Sequence, residues 1–181
     1  MNIMKKFVII SILVAGFYLG SAGQEINWLS FEEAVEKNKE NPKKIMVDVY
    51  TDWCSWCKVM DNNTFSNPVV ASYVNDNFYP VKFDAEQESA VNFNGQVYNF
   101  VSQGRRGYHE LAAVLLNGKL SFPSVVFLDE DINVIYPLQG YVKAKPFDEI
   151  INFIGGDKYK TSSWEDFQAS YNSPQIGRAH V

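Results

Sequence analysis

Both cysteines of the 181-residue chain lie in one stretch, VDVYTDWCSWCKVMD, at residues 47–61. Cys54 and Cys57 are separated by two residues, at a point where a helix is predicted to begin. Cysteines at this spacing can close a small disulfide ring, with the first sulfur against the free N–H groups of the helix N-terminus. These groups favour the thiolate, which is the nucleophilic form. We therefore predict a reactive, fairly exposed Cys54 and a more buried Cys57 that resolves the mixed disulfide.

Three other interpretations of the cysteine pair stay open at this point. It could be half a zinc site, although zinc usually takes four ligands and the chain offers only one credible histidine, His109. It could be an inert structural disulfide, although so short a ring constrains the unfolded chain little. It could also be a relic pair in a binding domain that no longer exchanges disulfides.

The segments around the pair alternate between strand and helix patterns, which predicts an α/β fold with a parallel strand pair. Ser30 and Glu33 form a capping box before the first helix, and Ser162 with Glu165 suggests another before a last helical piece. In chain order the sequence predicts a helix from Phe31, a strand over KIMVDVYT, helices over CSWCKVMDNNTF and NPVVASYVNDNF, a strand over YPVKFDAE, two strands around the acidic turn at 129–131, and a closing helix over KPFDEIINFIGG.

Residues between the second and third of these strands have a different pattern. Aromatic and polar residues alternate around Asn94-Gly95, which predicts a hairpin. Gly104 and Gly107 then punctuate a turn, and residues 108–116 have the apolar spacing of a helix.

Four polar or aromatic residues of this region are candidates for a substrate surface: Arg105, Arg106, Tyr108 and His109. The alternative interpretation is a solvated turn followed by a packing helix. The sequence leaves both open.

The two ends of the chain carry patterns that we exclude from the domain. Lys5 and Lys6, an apolar run over residues 7–20 and small residues at 21–23 predict a secretory signal peptide over residues 1–23. The run is short for a transmembrane helix, which favours a cleaved leader. An uncleaved membrane anchor is the alternative. Residues 176–181, IGRAHV, match the translation of a common DNA sequencing adaptor, and we interpret them as read-through. The helical segment over 161–175 is then predicted to be cut short.

Composition limits the classes of function. The chain is 46% hydrophobic and has a net charge of −5, which suits one domain with a sizeable core. No basic stripe stands out, so we expect no nucleic-acid partner. The leader predicts an exported protein, periplasmic or extracellular, without stable membrane insertion once the leader is removed.

Two segments resemble the thioredoxin family, over roughly residues 28–155. VDVYTDWCSWCK resembles the active-site strand and helix, through Asp48, Trp53, both cysteines and Lys58. FPSVVFLDED resembles the segment in which a cis-proline precedes a strand. The chain looks most like secreted bacterial thioredoxin-like proteins with W-C-x-W-C-K. The resemblance implies a thioredoxin fold over 24–160, with a central mixed sheet flanked by helices and a hairpin-plus-helix insertion at about 88–120, before the cis-proline strand.

The resemblance also implies a catalytic set of Cys54, Cys57 and Asp48. Asp48 would be buried behind Cys57, where desolvation raises a carboxyl pKa, and would take the Cys57 proton during resolution. The alternative is a strand carboxylate that reaches solvent.

Four further residues are implied to contact substrate. Trp53 and Trp56 would flank the sulfurs, although Trp56 could equally be a core aromatic residue. A cis peptide at Pro123 would leave the backbone of Phe122 free to pair with an extended substrate segment. The alternative is an ordinary trans proline at the start of a strand.

The predicted function is thiol–disulfide exchange on protein disulfides outside the cytoplasm, with no cofactor or metal beyond the Cys54–Cys57 disulfide. Ser55 and Trp56 stand where thioredoxins typically have Gly-Pro and strongly oxidising relatives have a histidine. The absence of that histidine favours a reductant. A reductant outside the cytosol needs an electron supply, which implies a membrane electron-donor protein. The alternative function is a thioredoxin-fold binding or adaptor module with an incidental disulfide.

Overall fold

The computed structural model describes residues 25–104, 106–173 and 176. The predicted signal peptide and most of the predicted adaptor segment lie outside these residues. The α-helices are α1 (Phe31–Glu40), α2 (Ser55–Met60), α3 (Pro68–Asn77), α4 (Glu110–Leu115), α5 (Ala144–Gly155) and α6 (Trp164–Ser170). The strands are β1 (Ile45–Tyr50), β2 (Tyr79–Asp84), β3 (Val91–Phe93), β4 (Gln96–Tyr98), β5 (Phe100–Gln103), β6 (Arg106–His109), β7 (Ser124–Leu128) and β8 (Val134–Gln139).

The central sheet has four strands in the order β2-β1-β7-β8. β1 is parallel to β2 and antiparallel to β7, and β7 is antiparallel to β8. The predicted mixed sheet with a parallel pair is therefore confirmed. β1 leads to the cysteines and lies inside the sheet, where it pairs with β2 on one side and β7 on the other.

Helices cover both faces of this sheet, and the side chains of each strand alternate between the two faces. Ile45, Val47 and Val49 of β1 pack into a core with residues of α1 and α4. Met46 packs into a second core on the other face, with residues of α3 and α5. Asp48 has the same parity as Met46, so a carboxylate lies on an otherwise apolar, fully covered face.

The first and last helices begin at side-chain caps. Ser30 Oγ accepts from Glu33 N at 3.2 Å, and Ser30 N donates to Glu33 Oε2 at 2.8 Å, which confirms the first predicted capping box. The second was wrong by one residue. Ser163 caps α6, and its Oγ accepts from Asp166 N at 3.1 Å. The sequence did not distinguish the two positions, because Ser162 and Ser163 are each followed by an acidic residue three positions later.

The insertion contains two hairpins before its helix, where one was predicted. Asn94 and Gly95 both have positive φ, at 53° and 75°, and form the predicted turn between β3 and β4. β5 and β6 form the second hairpin, in which Tyr108 pairs with Val101. The prediction of a helix from Tyr108 was therefore wrong, since α4 begins only at Glu110. Gly107 allows this hairpin to close, because a Cβ there would lie 2.6 Å from the Val101 carbonyl oxygen.

His109 joins the second hairpin to the rest of the domain and is completely buried. Its backbone N–H donates to Ala85 O at 2.6 Å. Its ring Nδ1 accepts from Leu111 N at 3.2 Å, which caps α4, and Nε2 lies 3.2 Å from Ser89 O. This arrangement requires a neutral ring with the proton on Nε2. His109 therefore packs inside the domain and does not form part of a substrate surface. Burial lowers the pKa of this imidazole below its usual 6.5.

The burial of His109 predicts a stability that depends on pH. Below pH 6.5 the unfolded chain binds a proton that the folded ring resists, so the contribution of His109 to the free energy of unfolding should decrease as the pH falls below 6.5. The contribution of Asp48 has the opposite sign, because its raised pKa favours the folded protein at lower pH. His109→Asn keeps a capping acceptor without a titrating group, so its free energy of unfolding relative to that of the wild type should rise as the pH falls from 8 to 5. His109→Ala removes the cap as well and should lose about 2–4 kcal/mol at pH 7. Urea unfolding at pH 5 to 8 would check this, and an unchanged slope in His109→Asn would contradict it.

Candidate active site at the Cys54–Cys57 disulfide

Cys54 and Cys57 form a disulfide at the start of α2, with an S–S distance of 2.12 Å and Cα atoms 5.3 Å apart. Cys54 is the N-cap residue of α2, and its Sγ accepts from the backbone N–H of Cys57 at 3.1 Å. The predicted helix start and the predicted contact between the first sulfur and the helix N-terminus are both present. In the reduced protein this N–H group would stabilise a Cys54 thiolate, because it donates to the charged form.

The two sulfurs are less accessible than the sequence suggested. Cys54 is 4% exposed and Cys57 is 3% exposed. The expectation of a fairly exposed Cys54 is wrong for the disulfide form, because capping the helix and bonding to Cys57 hold its sulfur against the backbone. Position in the helix therefore distinguishes the two cysteines, whereas exposure does not.

Asp48 lies in the middle of β1 and is 1% exposed. Burial raises the pKa of this carboxyl to about 6, and the nearby Lys82 ammonium limits the rise. Lys82 Nζ lies 2.6 Å from Asp48 Oδ2, and the two residues are register partners in the β1–β2 pair. The alternative of a carboxylate that reaches solvent is excluded by this burial.

Lys82 has two carboxylate partners, Asp48 and Asp61. Neither Lys82 nor Asp61 was identified from the sequence as part of the site. The Lys82 ammonium also contacts Asp61, whose side chain is 41% exposed. Asp61 begins the π-helical turn Asp61–Phe65, which continues directly from α2. Three aromatic rings surround the ammonium at 5.1–5.6 Å, from Trp28, Tyr50 and Phe65. A chain of charges thus runs from the buried Asp48 through Lys82 to the partly exposed Asp61.

The strand that lies beside β1 brings the predicted cis-proline to the same end of the sheet. The Phe122–Pro123 peptide is cis. Pro123 is followed by Ser124, which pairs with Val49 near the end of β1. Pro123 O accepts from Gly140 N at 2.8 Å, and the backbone of Phe122 makes no hydrogen bond within the described residues.

Aromatic side chains form the surface around the disulfide. Trp53 is 52% exposed and Trp56 is 58% exposed, so the alternative of a core position for Trp56 is wrong. Trp53 makes an edge contact with Phe122, with ring centroids 6.1 Å apart. Trp56 lies 5.5 Å from the ring of Tyr141, a neighbour that the sequence did not suggest.

The model of the Thioredox_DsbH family, described as "Protein of unknown function, DUF255", matches residues 14–155. This chain belongs to the Thioredox_DsbH family. The match includes β1, the disulfide, the insertion and the cis-proline strand, so the family assignment rests on the whole domain rather than on the Cys-x-x-Cys motif alone.

Two curated relatives of this Thioredox_DsbH protein differ in the part they share with it. Uncharacterized protein B0495.5 of Caenorhabditis elegans is 31% identical over 120 residues, which is 66% of this chain and 14% of that protein. Thiol:disulfide interchange protein DsbD of Photorhabdus laumondii is 40% identical over 50 residues, which is 28% of this chain and 8% of that protein. The chain therefore spans only a small part of the length of these relatives.

Among solved structures, a thioredoxin from Thermus thermophilus has a TM-score of 0.56 and 18% identity to this chain. The match covers 75% of this chain and 93% of the thioredoxin. The prediction of a thioredoxin fold is therefore confirmed. Within the residues that the structure describes, no helix is long and apolar enough to cross a membrane.

The remaining candidates of the insertion separate into three cases. Arg106 is exposed, and its guanidinium carbon lies 4.8 Å from the centre of the Trp53 ring. Tyr108 is half-buried in the hairpin, and His109 caps α4. Arg105 lies outside the described residues. In the described part of the chain, no cluster of three or more potential metal ligands occurs.

The shared lysine predicts that Asp61 influences the titration of Asp48. Asp61→Asn removes a negative charge that raises the pKa of Asp48, and it leaves Lys82 with Asp48 as its carboxylate partner. Both effects favour the Asp48 carboxylate, so the pKa of Asp48 should fall below 6, by about one unit at most.

A carbon-13 NMR titration of the Asp48 carboxyl group in the oxidised protein would measure this change. Asp52→Asn is the matched control, because it removes the same charge from an exposed residue that does not contact Lys82. A rise in the Asp48 pKa on Asp61→Asn, or an equal fall in the control, would contradict the coupling.

Proposed function

We propose that this protein carries out thiol–disulfide exchange on protein substrates outside the cytoplasm, and that it acts mainly as a reductant. The observation that supports this most strongly is the Cys54–Cys57 disulfide at a helix N-terminus, in a domain that also holds a buried carboxylate with a pKa of about 6. The similarity of 50 residues to a thiol:disulfide interchange protein supports the same chemistry.

The reaction begins with the reduced protein. The Cys54 thiolate attacks one sulfur of a substrate disulfide, and a mixed disulfide forms as the other substrate sulfur leaves as a thiolate. The Cys57 thiol then gives its proton to Asp48 and attacks the Cys54 sulfur. The second substrate thiolate leaves, and the protein holds the Cys54–Cys57 disulfide. Two electrons have passed to the substrate, and each substrate thiolate takes a proton from solvent or from protonated Asp48.

A pKa of about 6 suits Asp48 to this task, because such a group accepts and releases protons readily near neutral pH. The chain of contacts through Lys82 to the partly exposed Asp61 offers the charge balance that a buried carboxylate needs when it is ionised. Pro123 and the unpaired backbone of Phe122 are proposed to hold an extended substrate segment, with Trp53 and Trp56 as its apolar contacts.

Reduction of substrates consumes the dithiol, so the cycle needs a donor of two electrons and two protons. A dithiol of a membrane electron-donor protein would supply them by the same exchange in reverse. The predicted leader sequence supports an exported location, where such a donor is required because the surroundings are oxidising.

A redox titration of the Cys54–Cys57 pair in glutathione buffers would test the proposal, with the free thiols followed by labelling. A two-electron potential near about −270 mV, the value of thioredoxin, would agree with a reductant. A potential above about −180 mV would indicate an oxidase or isomerase instead. The absence of a reversible transition would contradict exchange in either direction.

A binding or adaptor module is the second candidate, and one observation favours it. Both cysteines are buried, whereas Trp53 and Trp56 expose large apolar surfaces beside them. A Cys54→Ser variant that keeps full activity in cells lacking the wild-type protein would support this function and would make the disulfide incidental.

A further inference from the structure

The second hairpin of the insertion places a cation over Trp53, the residue that precedes Cys54. Arg106 is the first residue of β6, and its guanidinium lies over the Trp53 ring at 4.8 Å. Trp53 in turn contacts Phe122, the residue before the cis-proline. Arg106, Trp53 and Phe122 thus form a continuous row, which we call the Arg106 row, from the insertion to the strand that is proposed to pair with substrate.

Arg106 lies near the turn of the second hairpin, at the start of β6. Arg106 pairs with Gln103 in the β5–β6 register, and Gly107 permits the two strands to approach closely. At the other end of β6, the buried His109 is bonded to Ala85 and Ser89. The hairpin that carries Arg106 is therefore tied to the rest of the domain by hydrogen bonds at its His109 end.

The Arg106 charge has no acidic partner within the described residues. None of the ion pairs found there includes it, although the protein as a whole has a net charge of −5. A guanidinium is attracted to the face of a ring through its delocalised charge, while its five N–H donors match a carboxylate in a two-point geometry. The exposed Arg106 can therefore bind an anion without breaking an existing ion pair of the described chain.

We propose that Arg106 is a specificity-determining residue, which binds the carboxylate of an acidic side chain close to the reactive cysteine of the substrate. This inference rests on the proposed exchange function. A substrate segment that extends along Phe122 and over Trp53 reaches Arg106 at the end of the row. Salt screens the attraction between Arg106 and a carboxylate in contact with it less than it screens the longer-range repulsion between that carboxylate and the net negative charge of the protein.

Peptide disulfides with blocked ends would test this selectivity. Three peptides would be identical except for Glu, Gln or Lys two residues from the cysteine, and each would be made in versions with the variable residue on either side. The measurement is the second-order rate constant for their reduction by the reduced protein. We expect the Glu peptide to react about three- to tenfold faster than the Gln peptide on at least one side, and the Lys peptide to be slowest.

Variants at Arg106 distinguish binding of the carboxylate from support of Trp53. The Glu-to-Gln rate ratio should fall to about one in Arg106→Gln and should be partly kept in Arg106→Lys, which retains the charge without the two-point geometry. Lys37→Gln is the matched control for loss of one positive charge. Lys37 is exposed on α1, near the opposite end of β1 from the cysteines, and the ratio should not change.

Two results would overturn the inference while leaving exchange intact. One is a wild-type protein that reduces all three peptides at equal rates. The other is a Glu-to-Gln ratio that Arg106→Gln leaves unchanged, even if all rates fall together, since Arg106 would then only position Trp53. If no peptide is reduced at all, and the redox titration shows no reversible transition, the exchange function itself fails together with the inference.

Discussion

The Cys57→Ser variant is expected to accumulate covalent complexes with its substrate proteins, and the Cys54→Ser variant to form none. Cys54 is the sulfur that accepts the N–H bond at the start of α2, so its thiolate is the one that the helix stabilises. Without Cys57 the mixed disulfide at Cys54 cannot be resolved from within the protein. Loss of Cys54 removes the nucleophile, and the rate of exchange should fall at least about a thousandfold.

Each variant would be expressed with residues 1–23 included, in cells that lack the wild-type protein, and non-reducing gels would show the complexes. Mass spectrometry of the trapped bands would identify the substrates, and reduction before electrophoresis should abolish the bands. The double variant controls for noncovalent association. Trapping by Cys54→Ser alone would reverse the roles of the two cysteines, equal trapping by both variants would contradict a distinct attacking cysteine, and trapping by neither would favour the binding module.

The sequence predicted those parts of the site that depend on neighbouring residues. The Cys54–Cys57 pair, the helix that begins beside it and the strand that precedes it lie within one short segment. The cis-proline at Pro123 followed from a resemblance that a second short segment carries. The cysteine pair, its helix and its strand are set by local spacing, which a sequence displays directly, whereas the cis-proline depended on the family resemblance.

Contacts between distant segments were not predictable in the same way. Lys82 meets Asp48 because β1 and β2 are parallel and in one particular register, which no local pattern specifies. Arg106 meets Trp53 because β5 and β6 form a second hairpin and approach closely at Gly107, whereas the apolar spacing of residues 108–116 suggested an earlier helix. The exposure of Cys54 was misjudged for a related reason, since it depends on how the sulfur is held in the folded disulfide.

The buried Asp48 represents a cost in stability that the proposed chemistry requires. Its pKa is raised from 3.8 to about 6, so the folded protein binds a proton more tightly than the unfolded chain. The stabilisation from this proton is fully present below about pH 4 and is lost as the pH rises through 6. Each pKa unit corresponds to about 1.4 kcal/mol, so the ionised carboxylate costs roughly 3 kcal/mol above pH 6 relative to its protonated form.

Asp48→Asn should therefore stabilise the protein and impair its activity at the same pH. Asparagine has the shape of the protonated acid and cannot ionise. Its free energy of unfolding should match that of the wild type near pH 4 and exceed it by roughly 3 kcal/mol at pH 8. Resolution of the mixed disulfide should slow about tenfold or more at pH 7, because Cys57 has lost its proton acceptor.

Urea unfolding of the oxidised proteins at several pH values would give the difference in stability between the variant and the wild type. The titration of His109 occurs in both proteins and cancels in this difference, so the window from pH 4 to pH 6 reports Asp48. Single-turnover reduction of a peptide disulfide would give the rate of resolution. A variant that is less stable than the wild type at pH 8 would mean that the Lys82 ion pair outweighs the burial of the carboxylate. An unchanged rate of resolution in Asp48→Asn at pH 7 would remove Asp48 from the proposed mechanism, whatever its effect on stability.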